Sequence, residues 1–522
     1  MPAIISDRFR LMNAETFVKS FVSVGNTANV YYTFIGQPNS SDPQANGTLD
    51  WSSNVPPPLD GSKEENEIKE TILSLKRITN NDVRRVIRKI SWTEGNVYEM
   101  YKNDYSIYNL TPTTNSSSLY ESNFYVVNED FRVYVCLQNG TDPENLKGRP
   151  SIDQPTFVDL EPRAAGTSGD GYIWKYLYTI KPSEIIKFDS IEFIPVPEDW
   201  GFEGTESFSV KNNAIDGNIK IVNIKNRGTN YQPISKTFAN IPILGDGEGG
   251  KVTITIDSFG KVSEIFVTDG GTGYTNGTIK FEPGAPGIPS ELTNTGTFAQ
   301  FDVIIPPRGG HGFDIYRELG SYRVLVYSRY KTDESNPDII VGNDFSRVGI
   351  LKNPEKIGGD PLVESEVSAL KSLKLAGAAT TLTDYAVDSI ITQTVSAGTT
   401  AIGFVASWDN ITGILKYYQP VGLATSRVGY KINDFTSSPG NGGSLIVNCD
   451  SISGTTLSID SSFNGESVVI NNRTYQLGSN FVSGISSAEY NTKSGEIIYI
   501  DNRQPIPRSK SQKEDIKIVL EF

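Results

Sequence analysis

The segment SGEIIYIDNRQPIPRSKSQKEDIKIVLEF, Ser494 to Phe522, reads as two strands joined by a proline-bearing loop. The first carries Ile497 and Tyr499 and ends at Asp501-Asn502-Arg503. In the second, Ile516, Ile518, Leu520 and Phe522 alternate with Lys517, Val519 and Glu521, the period-two pattern of a half-buried strand.

Strand signals of the same kind recur upstream. Phe124 to Leu137 reads as a hairpin turning at Asn128-Glu129-Asp130. Gly169-Asp-Gly171 is a tight turn feeding a strand with Tyr172, Trp174, Tyr176 and Tyr178 on one face and Ile173, Leu177 and Ile180 on the other or at its end. Such an aromatic row is packed core or interface in preference to a glycan-stacking platform. Near the N-terminus, Ala14, Phe17, Val18, Phe21 and Val24 fall at helical spacing after an Asn13 cap, and a strand follows at Val30–Gly36. Ser62-x-x-Glu65 is a capping-box pattern that predicts a helix with Ile68, Ile72 and Leu75 on one face.

The middle of the chain contains a repeat. Gly217–Tyr231 and Gly260–Tyr274 align at an offset of 43, matching Ile219 with Val262, Ile224 with Val267 and Gly228-Thr229 with Gly271-Thr272. Each copy reads as a strand ending in a Gly-Thr-x-Tyr turn, and two copies suit a small β module. A second Ser/Thr/Gly-rich region, 364–485, has strand signals at Ala401–Val405 and Ser444–Val447 and a hairpin at Trp408–Tyr418.

Length, 522 residues, predicts roughly three or four domains. Gly 48 and short apolar runs favour strands and turns over helices. Lys+Arg 47 against Asp+Glu 61 gives −14, which argues against a general nucleic-acid or anionic-membrane binder. Cys136 and Cys449 are far apart in apolar surroundings and read as buried free thiols, fitting a reducing cytosol. No run approaches the roughly 18 apolar residues of a membrane span, and the N-terminus carries charges where a signal peptide needs an apolar core. A soluble protein made in the cytoplasm is expected.

Catalytic candidates are few. His311, the single histidine, lies in Arg308-Gly-Gly-His-Gly-Phe313, a loop context with no GxSxG elbow to serve it. Cys136 and Cys449 lack the paired spacing of a metal site. Asp246 and Glu248 in Gly245-Asp-Gly-Glu-Gly-Gly250 could ligate calcium, but the loop lacks alternating ligands and reads as a hairpin turn. It also lacks the Gly-Lys-Ser/Thr ending of a phosphate loop. Arg84, Arg85, Arg88 and Lys89 form the one basic cluster, read as a solvated strand face or a patch for an acidic partner. No residue is assigned a catalytic, cofactor or metal role, no cofactor is called for, and an enzyme is not expected.

These stretches carry a resemblance. A strand ending in Phe-Ile-Gly36, a helix before an Arg-containing strand, Trp92 with Tyr98 and Tyr101, Val-Tyr-Val-Cys-Leu137, Gly-Asp-Gly-Tyr-Ile-Trp-Lys-Tyr176 and Asn-Arg-Gln-Pro-Ile506 occur in the order seen in the baseplate wedge subunit called gene product eight of T4-type contractile-tail phages. The similarity covers roughly 10–205 and 486–522, with a weaker match at 306–355; residues 39–50 interrupt the family's spacing before Trp51. The resemblance implies a structural virion protein of the tail baseplate, a homodimer beside wedge proteins such as gene products six, seven and ten. The expected fold is mainly β (α+β), a multi-domain, β-sandwich-like core with two inserted β-rich modules and a few short helices. Its expected parts are 1–205, core; 206–305, inserted β-repeat module; 306–363, core continuation; 364–485, second insert; and 486–522, C-terminal strands completing the core. The alternatives are a tail adhesin whose inserts bind host glycan and, behind it, a glycan hydrolase built on two carboxylates.

Overall fold

The computed structural model describes residues 4–22, 29–38, 51–331, 339–340, 343–377, 384–419, 433–454, 456–509 and 512–522. The chain is mainly β, at 39% strand against 10% helix, with many antiparallel sheets and a few short helices. It divides into two compact units, one of residues 1–18, 84–325 and 519–522, the other of 19–83 and 326–518.

In the first unit the core surrounds a three-stranded sheet of Tyr125–Val127, Arg132–Asn139 and Tyr172–Thr179. The expected hairpin is present: Tyr125 pairs with Val135 and Val127 with Val133. Asn128 makes the turn, its Oδ1 accepting the N–H groups of Asp130 (3.0 Å) and Arg132 (2.9 Å). The Gly-Asp-Gly turn is dictated by close approach, since a Cβ on Gly171 would lie 2.7 Å from the Gly140 Cα. Tyr172, Trp174, Tyr176 and Tyr178 are all buried, as is Leu177 from the other set. Tyr172 stacks on Trp174 at 5.3 Å and Tyr98 meets Trp174 edge-on at 5.8 Å. The aromatic row is core, and Cys136 is a buried free thiol within it.

Residues 219–303 have a hydrophobic core of their own. The two Gly-Thr-x-Tyr segments do equivalent work in it. Asn226 Oδ1 accepts the Gly228 N–H (2.9 Å) and Asp269 Oδ1 the Gly271 N–H (3.0 Å). The Tyr231 hydroxyl donates to Phe281 O and accepts the Ala299 N–H; the Tyr274 hydroxyl donates to Ile243 O and accepts the Gly250 N–H. The copies also interlock: the Ile219 N–H donates to Gly270 O and the Val262 N–H to Arg227 O, each at 2.9 Å. Val222–Asn226 pairs with Gln300–Val303 and Val262–Asp269 with Lys251–Ile256, with matching irregularities at Gln300/Phe301 and Lys251/Val252. The repeat therefore includes a second strand per copy. Sequence comparison missed it because Lys251–Ile256 and Gln300–Val303 share only their β pattern.

The second unit contains a five-stranded sheet, in order Glu366–Ser368, Ile72–Ile78, Tyr31–Gly36, Phe345–Lys352 and Glu496–Ile506. Arg347 is buried at 3% exposure within it. Its guanidinium donates to Asn502 Oδ1 (3.0 Å), Gln37 O (3.3 Å) and Thr71 Oγ1 (3.3 Å), and lies 5.3 Å from the Trp51 ring centre. Burial lowers its pKa to about 10. A second sheet runs in order Asn448–Cys449, Ile390–Ser396, Thr399–Asp409, Ile414–Tyr418, Lys371–Ala376 and Ser458–Ile459, around a separate core that includes the free thiol of Cys449. The expected hairpin turns at Asp409, whose carboxylate accepts from the Ile411 N–H and the Thr412 hydroxyl.

Several expected boundaries move. The first helix spans Asp7–Lys19, with Ser6 Oγ accepting the Phe9 N–H, so Asn13 is interior and not a cap. Phe21 lies past the helix, packed 4.3 Å from the Tyr31 ring, and Val24 falls outside the described residues. The Ser62–Glu70 helix has Gly61 as its N-cap and no side-chain cap bond, so the Ser62/Glu65 capping box does not form; Glu65 pairs instead with Lys69 at 2.9 Å. Ile72 and Leu75 belong to the following strand, where Ile-Leu-Ser-Leu ladders against Tyr31–Gly36. Ser444–Val447 is irregular apart from a bridge between Ile446 and Ser458. The first C-terminal strand runs on through Pro505 to Ile506; it is the edge of its sheet, where a residue without an N–H is tolerated.

The last strand, Glu514–Glu521, lies beside Arg323–Tyr330. Ile518 is fully buried, and Ile516, Leu520 and Phe522 partly so. Asp515 pairs with Arg329 at 2.6 Å and Glu521 with Arg323 at 3.0 Å. Glu514, whose carboxylate is nearly buried, meets the fully buried Arg508 guanidinium at 2.9 Å.

Two outcomes follow. Glu514→Ala removes the carboxylate partner of a buried guanidinium and is expected to cost about 3–5 kcal/mol, whereas Lys356→Ala, at the half-exposed Lys356–Glu364 pair, is expected to leave stability almost unchanged. Urea unfolding of the two variants checks the contrast. In the repeat module the chain enters and leaves side by side, Val222 opposite Val303 with the Ile304 N–H donating to Ile221 O. Replacing Asn223–Asp302 by a short Gly/Ser turn is therefore expected to leave a folded protein, read by near-ultraviolet circular dichroism. Loss of the fold with every linker tried would make the module part of the core.

Candidate binding groove

A groove rich in polar side chains lies in the first unit, with a volume of about 900 Å³. The start of the loop Pro306–Phe313 contributes Pro306, Pro307 and Arg308 to its lining. Gly309 and Gly310 have φ of +88° and +89°, and a Cβ on Gly310 would lie 2.4 Å from Ile215 O. His311 is fixed in this loop by Glu318, which projects from the short helix Ile315–Glu318. His311 Nδ1 lies 2.7 Å from Glu318 Oε1, and the Gly312 N–H donates to Glu318 Oε2 at 2.7 Å. The Tyr101 ring meets the imidazole edge-on at 4.8 Å. Both His311 and Glu318 are buried. Nearby Lys175 is buried too, donating to Leu160 O; burial lowers its pKa, and the charge on Glu318 opposes that shift.

The lining also draws on the segment from Tyr101 to Glu121 and on Ile4, Ile5, Asp7 and Arg10 of the N-terminal stretch. Buried Glu99 anchors the former segment, accepting the N–H groups of Thr113, Thr114 and Asn123. Tyr120 donates to Arg317 O, and burial, with Asp7 nearby, pushes its phenol up to about 12.

His311 thus reads as a pin for the Gly-rich loop: its Nδ1 is taken by a carboxylate and its ring by Tyr101. The spacing His311-x6-Glu318 was visible in the sequence, but nothing there marked Glu318 as its partner. Asp246 is likewise spent internally. It accepts the N–H groups of Thr275 and Asn276, each at 2.9 Å, and the Thr275 hydroxyl, which holds its carboxyl down to about 2. That stabilisation is present above the usual carboxylate range and is lost as pH falls through about 2. Glu248 exchanges backbone bonds with Thr272, and its loop joins the paired strands Lys236–Pro242 and Lys251–Ile256, closed by the Ile243 N–H donating to Gly250 O. Among the described residues no three His, Cys, Asp or Glu side chains come together as metal ligands, and no helix is long and apolar enough to cross a membrane.

The basic cluster is neither a solvated face nor a free patch. Arg84, 12% exposed, bonds Glu184 and Glu198 at 2.9 Å each. Lys89 meets Asp189 at 2.8 Å, Arg85 lies 3.3 Å from the Tyr316 ring centre and Arg88 donates to Ser122 O. The Pro182–Phe188 helix, with Glu184, and the chain after it, with Asp189 and Glu198, bring these acids over the strand, which a linear reading cannot see.

A second groove, of about 740 Å³ in the other unit, is lined by residues including Lys356, Glu364, Glu466, Gln476, Asn480 and Glu489, and by no aromatic side chain.

The chain matches no protein-family model and no curated protein at a significant level.

Glu318→Ala removes the acceptor for two buried donors and is expected to destabilise the first unit by about 2–5 kcal/mol, with Glu318→Gln milder because an amide oxygen still serves one of them. Chemical denaturation of both variants measures the difference.

Proposed function

We propose that the chain is a structural subunit of a contractile-tail baseplate wedge, a virion protein that works by protein–protein assembly and itself dimerises. The observation that carries this reading is the apolar rim of the first-unit groove. Ile4, Ile5 and Ile107 line it at 92%, 64% and 71% exposure, and Tyr108, next in sequence, is 93% exposed. Large side chains left this bare are characteristic of surfaces that a partner covers. The resemblance supports the same reading through residues that build the fold: Val133–Leu137 and Tyr172–Tyr176 in the core of one unit, Asn502–Ile506 in an edge strand of the other.

The adhesin reading draws less support. The aromatic row that could have stacked sugars is buried, and the second groove offers carboxylates and amides without a ring.

An antibody against the chain is expected to decorate the baseplate end of intact tails in electron micrographs. Detection of the chain only in fractions free of tails, or turnover of a cell-envelope polysaccharide abolished by one Asp or Glu substitution, would overturn the proposal.

A further inference from the structure

Among the described residues most arginines are engaged. Across both units their guanidiniums bond carboxylates, carbonyls or amides, as with Arg84, Arg227, Arg329, Arg347 and Arg508, or lie over rings, as Arg85 does. Among the described residues, the guanidiniums of Arg8, Arg10, Arg308 and Arg317 have neither an ion pair nor a hydrogen bond; Arg8 is exposed outside the first-unit groove, and the other three line it. Arg10 also lies over a ring, 5.4 Å from the Tyr322 centre, a longer contact than that of Arg85 at 3.3 Å. These positions are scattered in the sequence, and the fold brings them to one site.

The acids of the groove do not neutralise them. Glu318 is committed to His311 and Gly312. Lys102, a further cation of the groove, is already paired with Asp302 at 2.7 Å. Asp7 and Glu121 stand in the lining without an ion pair to any of the three arginines. The site is thus a set of unspent guanidinium forks in a protein of net charge −14, flanked by the exposed apolar side chains of Ile4, Ile5 and Ile107. A guanidinium presents paired N–H donors that match the two oxygens of a carboxylate.

We infer that this groove takes an extended acidic segment of a partner protein, carboxylates on Arg10, Arg308 and Arg317 and apolar side chains on the isoleucine rim. The inference rests on the assembly reading for the partner's biological identity, but the groove's chemistry is tested without it.

The test uses the full chain and a fluorescein-labelled glutamate oligomer, with fluorescence anisotropy as readout. Saturable binding that weakens with added salt is expected. Arg308→Glu and Arg317→Glu should each raise Kd on the order of tenfold, and Arg308→Gln and Arg317→Gln by less. Arg8→Glu, an exposed arginine outside the groove lining, should leave Kd unchanged. No binding by the wild type, equal binding by the groove variants, or equal loss in Arg8→Glu would overturn the inference. So would inorganic phosphate displacing the oligomer at lower concentration than free glutamate, which would mark an oxyanion site. Binding as expected in a chain absent from tails would leave the groove assignment standing and sink the baseplate reading alone.

Discussion

The Arg347 guanidinium is the point on which the second unit's five-stranded sheet depends. A cation at 3% exposure gives up its hydration, a cost of several kcal/mol unless its donors are matched. They are matched by groups from distant parts of the chain: Gln37 just past one strand, Thr71 just before the next, Asn502 on the edge strand, with Trp51 over the face of the group. No one of these segments can settle without the others. The register of Tyr31–Gly36, Ile72–Ile78, Phe345–Lys352 and Glu496–Ile506 is thereby tied to a single side chain.

The same logic operates across the molecule. Polar and charged side chains that are far apart in the chain are consumed by one another inside each unit. Arg84 meets Glu184, Arg227 meets Glu144, and Arg323 meets Glu521. A net charge of −14 therefore says little about any local surface. What distinguishes a surface is which charges remain unspent once the fold has closed, and in the first-unit groove those include three arginines.

This explains what the sequence could and could not convey. Alternation and turn residues located the Tyr125–Asn139 hairpin, the Tyr172–Thr179 strand, the Trp408–Tyr418 hairpin and the last strand, because local pattern and tertiary burial agree there. They failed where neighbours override local preference. Ile72 and Leu75 fit a helical face equally well, and only the ladder with Tyr31–Gly36 makes them a strand. The Arg84–Lys89 run looked like a surface feature because the acids that cover it come about 100 residues later. Conversely, Arg10, Arg308 and Arg317 carry no shared signal in the chain, and the groove they line was illegible until the loops were placed.

The crosswise pairing of the repeat module bears on how the chain is made. Lys251–Ile256 and Val262–Asp269 can close a hairpin as soon as both leave the ribosome. Val222–Asn226 emerges first but has no ladder partner until Gln300–Val303 arrives. At translation speeds of roughly 5–20 residues per second, that strand waits several seconds with Val222 and Ile224 uncovered. The order of assembly in this module thus runs from its middle outward, and its earliest strand is the one most exposed to capture by a chaperone or by a neighbouring nascent chain.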